Sequence, residues 1–149
     1  MAPAAEGNRR PLRSPATGVL AAHVDELCAG HGITVEWVGR GNRAWASRRR
    51  RSIRIYPIIN QKRYVTALHE IGHIVGSRQS GRRMEQEWGA WEFALDHALL
   101  PLTPATYRMI HRSLSSYVIR YTRRKGAYLP PPEDPFWNFV ERIATDARR

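Results

Sequence analysis

The chain has a single cysteine, Cys28, among its 149 residues. That excludes an intramolecular disulfide and any zinc knuckle built from cysteines. No apolar run approaches the roughly 18 residues that a membrane-spanning helix needs. The opening stretch, MAPAAEGNRRPLRSPATG, is rich in Pro, Ala and Arg and lacks the apolar core of a secretory signal. These absences lead us to expect a protein of the reducing cytoplasm with no membrane partner. Acidic residues are scarce as well. Asp plus Glu is 13 against 24 Lys plus Arg, a formal net charge of +11. Almost all the positive charge is arginine. Such a chain is drawn to polyanions, meaning DNA or an acidic protein. No nucleic-acid motif accompanies the charge, so the alternative is a surface solvated by arginine.

With 42% apolar and 25% charged residues, the composition is that of one globular domain able to bury a core without staples. Residues 1–15 read as a disordered basic tail. Val19, Leu20, Val24, Leu27 and Cys28 recur at helical spacing, and Gly30 and Gly32 end that helix. "ITVEWVG" alternates Ile33, Val35 and Trp37 against Thr34, Glu36 and Val38, as a strand does. "RGNRAWASRRRR" holds a Gly-Asn turn signal and a second short strand. "SIRIYPII" is a third strand, and Pro57 places it at an edge or ends it there. From Gln61 the period becomes helical, with Tyr64, Val65, Leu68, Ile71, Gly72 and Val75 on one face. A polar turn, "SRQSGRR", leads to a helix from about Met84 to Leu100 that Pro101 stops. Thr103 and Pro104 open another helix, running to about Arg124. A Pro-rich connector from 126 and a short helix, "FWNFVERIA", close the chain. The expected fold is α+β: an N-terminal helix, a small three-stranded antiparallel sheet, and then helices, with the folded domain over 16–125 and the connector and last helix over 126–149.

One stretch carries chemistry. In "YVTALHEIGHIVG", His69 and His73 stand four apart, and Glu70 follows the first. On a helix, residues i and i+4 share a face one turn apart. Both rings can therefore reach one zinc ion at about 2.0–2.1 Å. Glu70 points about a quarter-turn away, too far round for a third ligand but within reach of a water on the metal. Two imidazoles that hold the ion and a carboxylate that takes a proton from water are what a zinc hydrolase needs. The alternative is a core helix that happens to carry two histidines, which is costly without a partner for them.

A third ligand must come from the next helix, expected to pack antiparallel on the first. There, Glu87 is the one acid in an otherwise apolar stripe with Ala90, Trp91, Ala94 and Ala98, and it is our leading choice. Glu92, four residues before Asp96, is the runner-up. Glu87 could instead be a surface acid favoured by the dipole at a helix N-terminus.

"RYVTALHEIGHIVG", preceded by "SIRIYPII" and followed by "EWGAWEFALDHALLP", resembles the ImmA/IrrE-type zinc metallopeptidases of phages and mobile elements. The resemblance covers about residues 16–101. It rests on the flanking elements as much as on the HExxH pattern, with Glu87, Ala90, Phe93, Ala94, Leu100 and Pro101 in the family's order. It implies a zincin-like domain, one zinc ion bound by His69, His73 and Glu87, and Glu70 as catalytic base. It also implies a protein substrate, for some members a transcriptional repressor.

The remaining features are weaker. Tyr56, on the strand before the motif helix, could lean over the zinc as an oxyanion stabiliser or be a packed strand aromatic. Arg48 to Arg51 could bind phosphates or form a solvated hairpin tip. His23, His31, His97 and His111 read as surface or core histidines. Tyr107, Ile110, Leu114, Tyr117, Val118 and Tyr121 form the apolar face of the 104–124 helix, most simply core packing. The leading expectation is a zinc endopeptidase whose substrate adds to the edge strand 52–57. The rival is a non-catalytic basic regulatory protein in which zinc is structural and the action is binding DNA or a repressor.

Overall fold

The computed structural model describes residues 15–39 and 42–149. The expected basic tail lies, up to residue 14, outside them, as does Gly41 of the expected Gly-Asn turn. The elements run α1 (Pro15–His31), β1 (Thr34–Trp37), β2 (Trp45–Ser47), β3 (Ser52–Ile55), α2 (Gln61–Val75), α3 (Arg83–His97), α4 (Pro104–Arg123) and α5 (Pro135–Ala147). The fold is α+β, as expected. Among the described residues no helix is long and apolar enough to cross a membrane.

Local chemistry explains where the helices begin. Asn60 accepts the Arg63 N–H at 2.9 Å, Thr103 accepts that of Thr106 at 3.2 Å, and Asp134 accepts that of Phe136 at 2.9 Å. Each side chain satisfies a backbone donor that a first helical turn leaves without a partner. Pro104 and Pro135 then occupy the first turn, where a missing N–H costs nothing. α3 ends at His97, three residues before the expected Leu100. Ala98 is already extended (φ −61°, ψ 131°). The Leu99 N–H, released from the helix, donates to the Tyr64 hydroxyl at 3.2 Å.

The sheet departs from expectation. Its strand order is β1-β3-β2, with β1 parallel and β2 antiparallel to β3, so it is mixed rather than antiparallel. β2 pairs on the side of β3 away from β1 instead of folding back on β1. β3 is therefore the central strand, bonded on both sides, and cannot be the edge to which a substrate adds. Pro57 lies just beyond the strand and interrupts no ladder bond. The alternation expected for β1 also fails. Ile33 and Val38 are buried, but Trp37 is 54% exposed. A strand at the sheet margin has room on both faces, so its pattern does not report a buried side.

α2 is the core of the molecule. Tyr64, Val65, Leu68 and Ile71 are fully buried, against Ile53 and Ile55 of β3 and Val24 of α1. α2 and α3 run in opposite directions, with Tyr64 near Leu99, Gly72 near Ala90 and His73 near Glu87. Two glycines set how closely they meet. A Cβ on Gly72 would lie 2.7 Å from the Ala90 carbonyl oxygen. A Cβ on Gly89 would lie 1.9 Å from the Ser77 carbonyl oxygen, so the turn after α2 rests directly on the α3 backbone. On the far side, Phe136, Phe139 and Ile143 of α5 bury into the same core as Ile110 and Leu114 of α4.

Gly89→Ala forces backbone against backbone, where no side chain can rotate away. It should cost about 1–3 kcal/mol or more, read as a lower urea midpoint with unchanged slope. An unchanged midpoint would show that the two helices do not need this close approach.

Candidate metal centre

His69 and His73 lie on the α2 face turned toward α3, and Glu87 lies on the α3 face turned toward α2. His69 Nε2 and His73 Nε2 are 3.1 Å apart. Glu87 Oε2 is 2.7 Å from His73 Nε2 and 3.5 Å from His69 Nε2. Two donors each 2.0–2.1 Å from a tetrahedral ion stand about 3.3–3.4 Å apart. The observed triangle is close to one face of such a tetrahedron. His69, His73 and Glu87 thus form a buried cluster able to hold a metal ion.

A second observation supports that fit. Glu87 is only 2% exposed, yet Oε2 has no well-aligned hydrogen-bond donor. The ring nitrogens it faces are lone-pair atoms whenever the rings are neutral and protonated on the other nitrogen. Three electron-rich atoms at this spacing repel one another unless a cation or a proton sits among them.

Gln79 makes this specific for His73. Its amide nitrogen donates to the carbonyls of Ser77 and Gln86, both at 2.9 Å. Carbonyl oxygens can only accept, so the amide atom facing them must be the nitrogen. The Gln79 oxygen is then left facing His73 Nδ1 at 3.1 Å. That oxygen also only accepts, so Nδ1 carries the hydrogen. In the neutral ring the lone pair is on Nε2, aimed into the cluster. Metal-ligating histidines are ordinarily held by such a partner on the other nitrogen.

The electrostatics follow from burial and proximity. Burial pushes His69 down to about 3, outweighing the raising effect of Glu87, so the ring stays neutral. It stacks on Trp91, with ring centroids 3.8 Å apart. Burial also acts to lower His73, but the Glu87 carboxylate beside it wins and raises it. Burial acts to raise Glu87; its close approach to His73 and His69 prevails and holds it at about 2. Glu70 is 7% exposed and is pushed up to about 7, chiefly by burial.

The cluster opens on a cavity of about 1060 Å³, with His69, Glu70, His73 and Glu87 in its wall. β2 borders this cavity through Trp45 and Ala46, and α4 contributes Tyr117. Tyr117 shares the cavity wall with Glu87, and burial raises its phenol to about 12, so it stays protonated.

His69, His73, Glu70 and Glu87 are therefore brought together as expected. Glu92 is not. It pairs with Arg78 at 2.5 Å, half exposed on another face of α3. Tyr56 reaches the cavity wall, but its hydroxyl is committed to the Asn42 carbonyl oxygen and its ring lies under the Arg63 guanidinium. His23 bonds Tyr64 and His97 bonds the Phe93 carbonyl, as structural histidines do. Sequence reasoning missed Gln79 and Tyr117. Gln79 stood in a polar turn with no periodicity to mark it. Tyr117 was one of several aromatics on an apolar helix face. Comparison with known families, characterised proteins and solved structures finds no match to this chain.

Two outcomes follow for this cluster. Gln79→Leu frees the His73 tautomer and should weaken metal binding about 10–100-fold, measured by competition with a chromophoric chelator; equal affinity would remove Gln79 from the site. The second concerns Glu70, which ionises near 4.5 in the unfolded chain and about 7 in the folded one. Between those values the unfolded state gives up a proton that the folded state keeps. The metal-free protein therefore loses stability as pH rises through that window, and the loss levels off above it. Metal-free Glu70→Gln should be more stable than wild type by about 3 kcal/mol near pH 8, the gap closing toward pH 4.5. A gap independent of pH, in urea unfolding with chelator present, would show that Glu70 carries no such burial cost.

Proposed function

We propose that this chain is a zinc-dependent endopeptidase, with His69, His73 and Glu87 as metal ligands and Glu70 as general base. The observation that carries this reading is the convergence of two ring nitrogens and one carboxylate oxygen beside a second buried carboxylate, all on one cavity. Two imidazoles with one carboxylate suit zinc, whereas calcium and magnesium favour all-oxygen sets. Three protein ligands rather than four are the pattern of catalytic zinc, with one position left for water or substrate. When bound, zinc would acidify water and polarise a carbonyl.

The remaining work falls to the chain's own residues. Glu70 follows His69 directly, so on the helix it is turned by about 100° from that ligand. It takes the proton from the attacking water and returns it to the leaving amine. Its affinity for protons, raised by burial, suits a group that must accept a proton and then give it up near neutral pH. Tyr117, which lines the same cavity and stays protonated, is a better candidate than Tyr56 to donate to the carbonyl oxygen as negative charge builds there. The free edge of β2 offers main-chain groups to an extended substrate. The resemblance to ImmA/IrrE-type peptidases supports a protein substrate, a transcriptional repressor among the options.

The rival, a regulatory protein with structural zinc that binds DNA or a repressor, is less well supported. Structural zinc sites close with four protein ligands. Among the described residues only three metal-ligating side chains converge. Glu70 would also be a buried carboxylate without a task.

The test is one series of purified proteins. Wild type and Glu92→Ala should each bind about one equivalent of zinc, and Glu87→Ala should lose most of it. Glu70→Gln should keep the metal and lose hydrolysis of an unfolded protein substrate by about 100-fold or more. Full hydrolysis by Glu70→Gln, or full zinc in Glu87→Ala, would sink the assignment.

A further inference from the structure

The exposed charged side chains that line the cavity are of one sign. Arg43, Arg48, Arg49 and Arg83 line it. Its only acids are Glu70 and Glu87, both buried at the centre. None of those four arginines forms an ion pair with a carboxylate among the described residues, whereas Arg54 and Arg78 do. Arg48 is anchored by a hydrogen bond to the Gln79 carbonyl oxygen, which ties the β2–β3 hairpin to the turn after α2. A second hollow of about 280 Å³ adjoins, and Arg83 is common to both. It adds Arg82, Arg124 and Lys125, with Tyr121 and Tyr128 beside them and no acid. The Arg82 guanidinium lies 4.2 Å from the centre of the Tyr128 ring, which holds it in place. A basic track thus runs from the hairpin, over the metal cluster, to the end of α4.

We infer that the substrate of this cleft is an acidic stretch of polypeptide, with carboxylates on both sides of the bond presented to the centre. The inference rests on the peptidase assignment for the chemistry, but its charge argument stands on the arginines alone. A cleft lined by one sign of charge concentrates field lines and draws in the opposite charge. Like-charged partners meet a penalty there. Glu70 and Glu87 do not cancel the track, because both are buried beneath it and Glu87 lies against the two histidines. A polyanion of either kind, acidic peptide or single-stranded nucleic acid, would feel this field. The β2 edge decides between them. It borders the track through Trp45 and Ala46 and offers strand-type hydrogen bonds, which a polypeptide can use and a phosphodiester chain cannot.

The test uses zinc-loaded full-length protein and fluorogenic peptides that share a central segment but carry Asp/Glu, Ser/Gly or Lys flanks. The acidic peptide should be cleaved with kcat/KM at least about tenfold above the neutral one, and the Lys peptide least. The advantage should shrink as salt is raised. It should also shrink in Arg43→Glu/Arg49→Glu and in Arg124→Glu, none of which alters the cluster. In parallel, zinc-loaded Glu70→Gln is titrated with the same peptides and with a single-stranded oligonucleotide of matched charge. Cleavage indifferent to flanking charge overturns the inference and leaves the peptidase assignment intact. No cleavage, with tighter binding of the acidic peptide, sustains the inference and removes the peptidase assignment. No preference in either assay, or tighter binding of the oligonucleotide than of the acidic peptide, overturns the inference.

Discussion

Three electron-rich atoms, two imidazole nitrogens and a carboxylate oxygen, face one another within 3.5 Å between α2 and α3. Left to themselves they repel. Everything near them serves to hold them there. Gly72 lets the backbones of the two helices touch, and Gly89 lets the intervening turn lie flat on α3. That turn delivers Gln79, which orients His73. Trp91 stacks on His69 and fixes the plane of its ring. Helices kept a side chain further apart would not bring Glu87 within reach.

Such an arrangement is expensive in folding free energy, and the cost points to its purpose. A neutral imidazole, a charged carboxylate and a second buried carboxylate occupy space that apolar side chains could fill. Groups buried against their preference gather where chemistry needs shifted proton affinities. Stability is drawn instead from the apolar side of the same helix, where Tyr64, Leu68 and Ile71 meet the sheet, and from α4 and α5 behind it. One helix therefore carries both the core and the site, on adjacent faces.

The outer parts of the fold then shape access. The β2–β3 hairpin lines the cavity, and the end of α4 lines the hollow that adjoins it. Both bring arginine, and neither brings an acid that could neutralise it. The net charge of +11 is therefore not evenly spread in its consequences. It leaves a cleft lined by exposed cations, whose pull on an anion weakens as salt is raised.

The amino-acid sequence by itself determined the helices and the pair of histidines, and favoured Glu87 as their partner. His69, Glu70 and His73 are legible because helical spacing is local, and Glu87 because an acid in an apolar stripe breaks a periodic pattern. The caps at Thr103 and the opening of α4 at Pro104 were legible for the same reason. Only the tertiary structure decided the strand pairing. β1 runs parallel to β3 and leaves β2 at the edge, since the partners of a strand lie far off in the chain and alternation does not name them. It alone discarded Glu92, by pairing it with Arg78, and withdrew Tyr56, by committing its hydroxyl to Asn42. It alone brought in Gln79 and Tyr117, one from a turn and one from a later helix. Contacts of that kind obey no sequence period; they exist only once separate elements have packed.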